Sequence, residues 1–256
     1  SNFQLLDIDK FRPEFSTIIN LTPDHLDYMA SLDEYYASKT NIYKNCQDDD
    51  VYVCNLDDET LKTYLDRYPV KCKQVTQSLK QDATCHIKDQ AIYYQNEHII
   101  DLDEIKIVGD HNVQNIMLAS ALCKLAGVSN QVLHDTIAAF NGVEHRIEYV
   151  NEINGVKIYN DSKATNTDAS IIALKAFKQP VILLMGGFEK GLDLTELASY
   201  NDHIKYLVTF GVAGQRFKQD MHHPHSDYQP HLKEAVDKAL EVAQPGDIIL
   251  LSPSTS

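Results

Sequence analysis

Residues 156–174 read Val-Lys-Ile-Tyr-Asn-Asp-Ser-Lys-Ala-Thr-Asn-Thr-Asp-Ala-Ser-Ile-Ile-Ala-Leu. A short apolar run at Val156–Tyr159 passes through a polar turn into a tract with helical periodicity from about Thr167 to Phe177. The same alternation continues downstream. Val181–Met185, Tyr206–Phe210 and Ile248–Leu251 read as strands, and Leu194–Tyr200 and Leu232–Ala243 as helices. Near-continuous apolar strands separated by helices predict an α/β fold with a parallel sheet covered on both faces. Polar groups at the strand ends of such a sheet stand where ligands bind.

Upstream of about Gly142 the pattern differs. Thr17–Leu21 reads as a buried strand, and Leu32–Tyr43 as a helix with Ser31 at its N-cap and Glu34 three positions on, the spacing of a capping box. Val51–Leu56 reads as a strand, and residues 57–108 as short β-rich runs between polar turns, including a hairpin near Gln95-Asn96. Asp110–Ala126 is a strong amphipathic helix that Gly127 stops, and a second helix follows over about 130–140. The domain boundary is placed at 143/144.

The chain has 256 residues with a formal net charge of −14, from 37 acidic and 23 basic side chains. That balance opposes general binding to nucleic acid or anionic membranes. No apolar run approaches the ~20 residues of a membrane span, and Asp7, Asp9 and Glu14 interrupt any signal-peptide core. Five cysteines with no CxxC pair fit a reduced, cytoplasmic compartment. None of the ten glycines precedes Gly109, and no G-x-x-x-x-G-K-[ST] phosphate loop occurs. The chain starts without methionine and stops just after a strand-like run, so it reads as a piece of something longer.

Five constellations carry possible chemistry. Asn20-Leu-Thr-Pro-Asp24-His25-Leu-Asp27 follows a strand; His25 could ligate a divalent cation, or Asp24 could simply cap a helix beside an exposed imidazole. Lys39, in Tyr36-Ala-Ser-Lys39-Thr, is by spacing alone a solvated helix residue. In Gly109-Asp-His111-Asn112-Val-Gln-Asn115 the two asparagines share a face at a helix start, suited to a base edge or to capping. In Asn160–Asn166, Asp161 could accept from a ribose hydroxyl, Lys163 could neutralise a phosphate and Thr165 could bind a carboxylate at a helix N-terminus; an ordinary polar loop with an Asp or Thr cap is the alternative. Gly186-Gly187-Phe-Glu-Lys190-Gly191 offers close backbone approach and one cation. His222, His223 and His225 fall in a poorly patterned stretch and read as an ordinary loop rather than a metal site.

Together, Asn20-x-x-x-Asp24-His25-x-Asp27, Ala37-Ser-Lys39, Gly109-x-His111-Asn112-x-x-Asn115, His145-Arg146, Asn160–Asn166 and Gly186-Gly-x-x-Lys190-Gly resemble the Mur ligase family over essentially the whole chain. Asn160–Asn166 is similar to the branch that adds D-glutamate. The resemblance implies that residues 1–143 are the later part of a central ATPase domain and 144–256 a Rossmann-like C-terminal domain lacking its end. The UDP-binding domain, the phosphate loop and a magnesium-ligating glutamate would lie upstream, leaving this segment inactive alone.

The implied reaction is ATP-dependent: a carboxylate of UDP-N-acetylmuramoyl-L-alanine becomes an acyl phosphate, which the amine of D-glutamate attacks. The implied cofactors are ATP and Mg2+. By resemblance His25 ligates magnesium, and Lys39 does so as a carbamate, an anionic oxygen donor where the free amine would repel a cation. His111, Asn112, Asn115, Arg146 and Asp161 would bind the nucleotide, Lys163 would stabilise the transferred phosphoryl group, and Thr165 and Lys190 would hold D-glutamate. A monomer without nucleic-acid or membrane partners is expected. The alternatives are another Mur-type amide ligase with a different amino acid, or a binding module derived from one.

Overall fold

A computed structural model describes residues 2–22 and 29–255. The chain forms two compact units, Ser1–Ile105 with His111–Ala139, and Lys106–Asp110 with Phe140–Ser256.

The first unit contains α1 (Asn2–Leu6), β1 (Phe15–Thr17), α2 (Leu32–Thr40), β2 (Val51–Asn55), α3 (Glu59–Arg67), β3 (Lys73–Ser78), β4 (Cys85–Lys88), β5 (Ala91–Tyr94), β6 (Glu97–Asp101), α4 (Asp110–Leu125) and α5 (Asn130–Ala139). Strands β1 to β6 pair in sequence order, parallel from β1 to β4 and antiparallel from there to β6. Tyr52 and Cys54 of β2 face α2 and α3 across a core that includes Tyr35, Tyr36 and Leu61.

Several elements differ from the sequence expectation. The first strand is Phe15–Thr17 rather than 17–21. Past Thr17 the main chain bonds to side chains instead of a neighbouring strand: Asn55 Nδ2 donates to the Ile19 carbonyl at 2.8 Å, and the Leu21 amide donates to Asp58 Oδ2 at 2.8 Å. Helix α3 lies in the stretch read as β-rich. Asp58 caps it by accepting from the Leu61 amide at 2.8 Å, and Leu61, Tyr64 and Leu65 point into the core. Helix α2 ends at Thr40 and tightens into a 3₁₀ turn over Asn41–Tyr43. Ser31 accepts from the Glu34 amide at 3.1 Å, whereas Glu34 reaches the Ala30 amide at 3.2 Å, one residue before the cap. The hairpin around Gln95-Asn96 forms as expected, with Gln95 at φ +56°.

The second unit contains β7 (Glu148–Ile153), β8 (Val156–Asn160), α6 (Thr167–Lys175), β9 (Val181–Gly186), α7 (Thr195–Ala198), β10 (Ile204–Phe210), α8 (Gly211–Met221), β11 (Ser226–Gln229), α9 (Leu232–Val242) and β12 (Ile248–Leu251). The sheet order is β11-β10-β9-β12-β8-β7, parallel except for the edge strand β7. Both faces are covered. Val181, Leu183 and Met185 of β9 pack with α6, α7 and α8, while Ile182 and Leu184 pack with α9. This alternation on a strand buried at every position is the expected mark of a sheet between two helical layers.

Strand β7, helix α8 and strand β11 add to the elements that the sequence pattern predicts, and α7 is a single turn. Strand β7 exposes most of its residues, which removes the apolar signal. Strand β12 inserts between β8 and β9 and returns from the far side of the sheet. The order of strands therefore reverses there, and the C-terminal ends of β8, β12 and β9 border the crevice where open α/β sheets bind ligands.

Candidate functional site

At the crevice of the second unit, the β8–α6 loop carries Asp161, Lys163 and Thr165. Asn166, rather than an Asp or Thr, caps α6 by accepting from the Ala169 amide at 2.8 Å. Lys163 and Thr165 are exposed beside that helix start, where a carboxylate or phosphate is favoured by the unpaired amides and the helix dipole.

Asp161 is buried, with 6% of its surface exposed. Its Oδ1 accepts from the Ile147 amide at 3.2 Å and its Oδ2 from the Ser252 hydroxyl at 3.0 Å. Its own amide donates to the Leu251 carbonyl at 2.7 Å, at the end of β12. Burial raises its pKa above the usual aspartate value, and the Ser252 hydroxyl, the Ile147 amide and the Arg146 charge oppose that shift. Each carboxylate oxygen keeps capacity for a further donor, so a ribose hydroxyl remains chemically acceptable there.

Arg146 stands exposed in the turn that grips this loop. Its neighbours His145 and Ile147 both adopt left-handed conformations, at φ +67° and +44°. For a β-branched residue this is strained, at a typical cost of order 1–3 kcal/mol. The surroundings enforce it. The His145 amide donates to Glu148 Oε2 at 2.8 Å, Asn160 Nδ2 donates to His145 Nδ1 at 2.9 Å, and the Lys163 amide donates to the His145 carbonyl at 3.2 Å. The turn that carries Arg146 and the stretch from Asn160 to Lys163 are thereby tied into one hydrogen-bonded framework.

Lys190 lies in the loop after β9. That loop is shaped by Gly186 and Gly187, at φ +138° and +137°. A Cβ on Gly186 would stand 2.0 Å from the Phe210 carbonyl oxygen, so only glycine lets β9 close against the end of β10. The next residues are fixed by charge. Arg216 donates through Nη2 and Nε to Glu189 at 2.8 and 2.9 Å, and the Gly191 amide donates to Glu189 Oε1 at 2.6 Å. Arg216, more than any other group, pulls the Glu189 pKa down to about 2. Lys190 is exposed between these anchors.

In the first unit, Lys39 is half-buried on α2, its ammonium 4.7 Å over the Tyr35 ring. His111, Asn112 and Asn115 occupy the first turns of α4. That helix start is tied down by Gln114, whose Nε2 donates at 3.2 Å to Asn55 Oδ1 at the end of β2. His25, with Asp24 and Asp27, lies outside the described residues. Among the described residues no three His, Cys, Asp or Glu side chains cluster as a metal site. A carbamate on Lys39 would offer the anionic oxygen that magnesium prefers, with water and nucleotide phosphates completing the shell. His223 is buried, with Nε2 bonded to the Ile204 carbonyl at 2.9 Å and Nδ1 to the main chain of His225. Both ring nitrogens are thus engaged by main-chain groups.

Sequence reading missed Ser252, Ser170, Glu189 and Arg216 as supports. The polar run Ser252-Pro-Ser-Thr directly after an apolar strand was the available signal for the first; nothing in spacing marks the Glu189–Arg216 pair.

Comparison with known proteins places the two units. The Mur ligase middle domain family matches residues 2–123, and the family described as Mur ligase, glutamate ligase domain matches residues 145–255. The UDP-N-acetylmuramoylalanine--D-glutamate ligase of Thermoanaerobacter sp. (strain X514) is 41% identical over 266 residues, covering 99% of this chain and 58% of the relative. Its counterpart in Exiguobacterium sibiricum is 38% identical over 258 residues, covering 100% of this chain and 57% of the relative. The chain thus spans under two thirds of the length of these relatives. Among solved structures, UDP-N-acetylmuramate-alanine ligase MurC from Thermotoga maritima aligns with a TM-score of 0.70 at 18% identity, over 100% of this chain and 59% of that one. MurF ligase from Thermotoga maritima, solved in complex with ADP, aligns at 0.65 and 15% identity, over 95% of this chain and 59% of that one. Identities this low speak to the fold alone.

Proposed function

This chain belongs to the Mur ligase family, and on that premise we propose that the protein it forms adds D-glutamate to UDP-N-acetylmuramoyl-L-alanine, driven by ATP, in peptidoglycan precursor synthesis. The observation that carries the reading is the β8–α6 loop, where Lys163 and Thr165 stand exposed between the anchored Asp161 carboxylate and the Asn166-capped start of α6. Relatives named as D-glutamate ligases support the choice of amino acid.

Joining a carboxylate to an amine at ATP's expense brings polyanions together, so local cations must offset their repulsion. Asp161 and Arg146 orient the nucleotide, Asp161 by accepting from a ribose hydroxyl. His111, Asn112 and Asn115 contact its base. Lys163 stabilises charge on the phosphoryl group as it passes to the alanyl carboxylate. Thr165 and Lys190 hold the two carboxylates of D-glutamate, which leaves its amine to attack. His25 and the Lys39 carbamate would hold magnesium, which when bound supplies positive charge to the phosphates. The cytoplasm, where ATP and nucleotide sugars meet, is the proposed compartment. Among the described residues no helix is long and apolar enough to cross a membrane.

The full-length protein, given ATP, magnesium and UDP-N-acetylmuramoyl-L-alanine, should release phosphate with D-glutamate and not with L-alanine or a diamino acid. Release with another amino acid in preference to D-glutamate would refute the assignment.

A further inference from the structure

Three serine hydroxyls form a buried chain behind the crevice. Ser252 Oγ donates to Asp161 Oδ2 at 3.0 Å. An ionised carboxylate can only accept, so the direction of the next bonds follows. Ser170 Oγ donates to Ser252 Oγ at 2.9 Å, and Ser254 Oγ donates to Ser170 Oγ at 2.8 Å. All three serines are 0% exposed. They come from two places in the fold: Ser170 from the first turn of α6, and Ser252 and Ser254 from the segment after β12.

Packing does not explain these hydroxyls. Alanine would fill nearly the same space, and a buried hydroxyl carries a desolvation cost unless it is bonded. Here each is bonded, in a line that terminates on the one buried carboxylate of the loop. Chains of this kind polarise along their length and fix the group at the end. Ser254 holds a left-handed conformation at φ +64°, which turns its side chain back toward Ser170. The same segment also grips the neighbouring loop. The Gly186 amide donates to the Pro253 carbonyl at 3.0 Å, and Thr255 Oγ1 donates to the Phe188 carbonyl at 2.7 Å.

We propose that Ser252, Ser170 and Ser254 are positioning residues that hold the Asp161 carboxylate in the orientation needed to accept from the nucleotide ribose. The inference rests on the reading of Asp161 given above. None of the three serines need touch a substrate; they act through Asp161.

The test uses the full-length protein with Ser252→Ala, Ser170→Ala and Asp161→Asn, singly and with each serine change combined with Asp161→Asn. KM for ATP and kcat are read from D-glutamate-dependent phosphate release. Loss of a hydrogen bond to a charged group corresponds to a rise of about tenfold in KM for ATP in Ser252→Ala, with kcat held within about twofold. Ser170→Ala, one bond further away, should raise KM for ATP less. On the Asp161→Asn background, neither serine change should add to the effect, because the group they act through is gone.

If Asp161→Asn raises KM for ATP but neither serine change does, or if their effects add in full to Asp161→Asn, the positioning role is overturned and the reading of Asp161 stands. If Asp161→Asn itself leaves KM for ATP unchanged, the reading of Asp161 fails and takes the positioning role with it. Should Ser252→Ala not fold, Ser170→Ala carries the same comparison, since it leaves the Ser252–Asp161 bond in place.

Discussion

The loops after β8 and β9 flank the same inserted strand, β12, and each presents an exposed lysine. They are held in opposite ways. The β8 loop is fixed from inside, by a buried carboxylate that gathers a main-chain amide and a hydroxyl. The β9 loop is fixed by what it lacks, two glycines that let main chains meet, and by a partly exposed ion pair between Glu189 and Arg216. One loop is therefore sensitive to loss of an acceptor, and the other to gain of a methyl group.

Their responses to pH also differ in sign. Asp161 has its folded pKa raised, chiefly by burial. Its contribution is present at low pH, where it is protonated, and is lost as pH rises through that raised value. Glu189 has its pKa lowered to about 2, chiefly by Arg216. Its contribution is present above the ordinary glutamate range and is lost as pH falls toward about 2.

The largest expected effect on this contrast comes from Gly186→Ala. The added Cβ would overlap the Phe210 carbonyl, and the φ of +138° is a region that alanine rarely adopts. A loss of at least about 3 kcal/mol is expected from clash and backbone strain together. Thermal denaturation of the purified protein measures it, and a melting temperature equal to that of the parent would remove the close-approach account. A smaller effect follows from Arg216→Gln. NMR titration should find the Glu189 carboxylate moved up from about 2 toward the ordinary glutamate value, while the β8 loop keeps its chemical shifts. An unchanged Glu189 titration would mean that other donors, such as the Gly191 amide, hold it low.

The same contrast explains how much could be read beforehand. The strands β8, β9, β10 and β12 were legible because each is an apolar run buried on both faces. Strand β7 was not, since Tyr149 and Val150 face solvent at the sheet edge. Yet Asn154-Gly155, both at positive φ, marks its hairpin turn in the sequence and was available as a signal. Helix α8 begins at Gly211 without a side-chain cap, so no start signal announces it. Helix α3 was hidden by its polar exposed face, although Asp58 and the spacing of Leu61, Tyr64 and Leu65 could have found it.

In the candidate site, Asp161, Lys163 and Thr165 stand out in the sequence by their dense placement between a strand and a helix. Lys39 was not legible from spacing at all and rested on family resemblance. The supports of the loop were out of reach, because Ser170 and Ser252 meet across 82 positions of sequence. Contacts of that range are set by sheet order, and the insertion of β12 between β8 and β9 has no local signature.

On the proposed function, one short loop serves two ligands, with Asp161 assigned to the nucleotide and Thr165 to the amino acid. It is tested most directly by measuring KM for ATP and KM for D-glutamate in Asp161→Asn and Thr165→Ala of the full-length protein. The expected result is a split: Asp161→Asn raises KM for ATP alone, and Thr165→Ala raises KM for D-glutamate alone. If both variants raise the same constant, or neither raises its own, the division of the loop between nucleotide and amino acid is wrong.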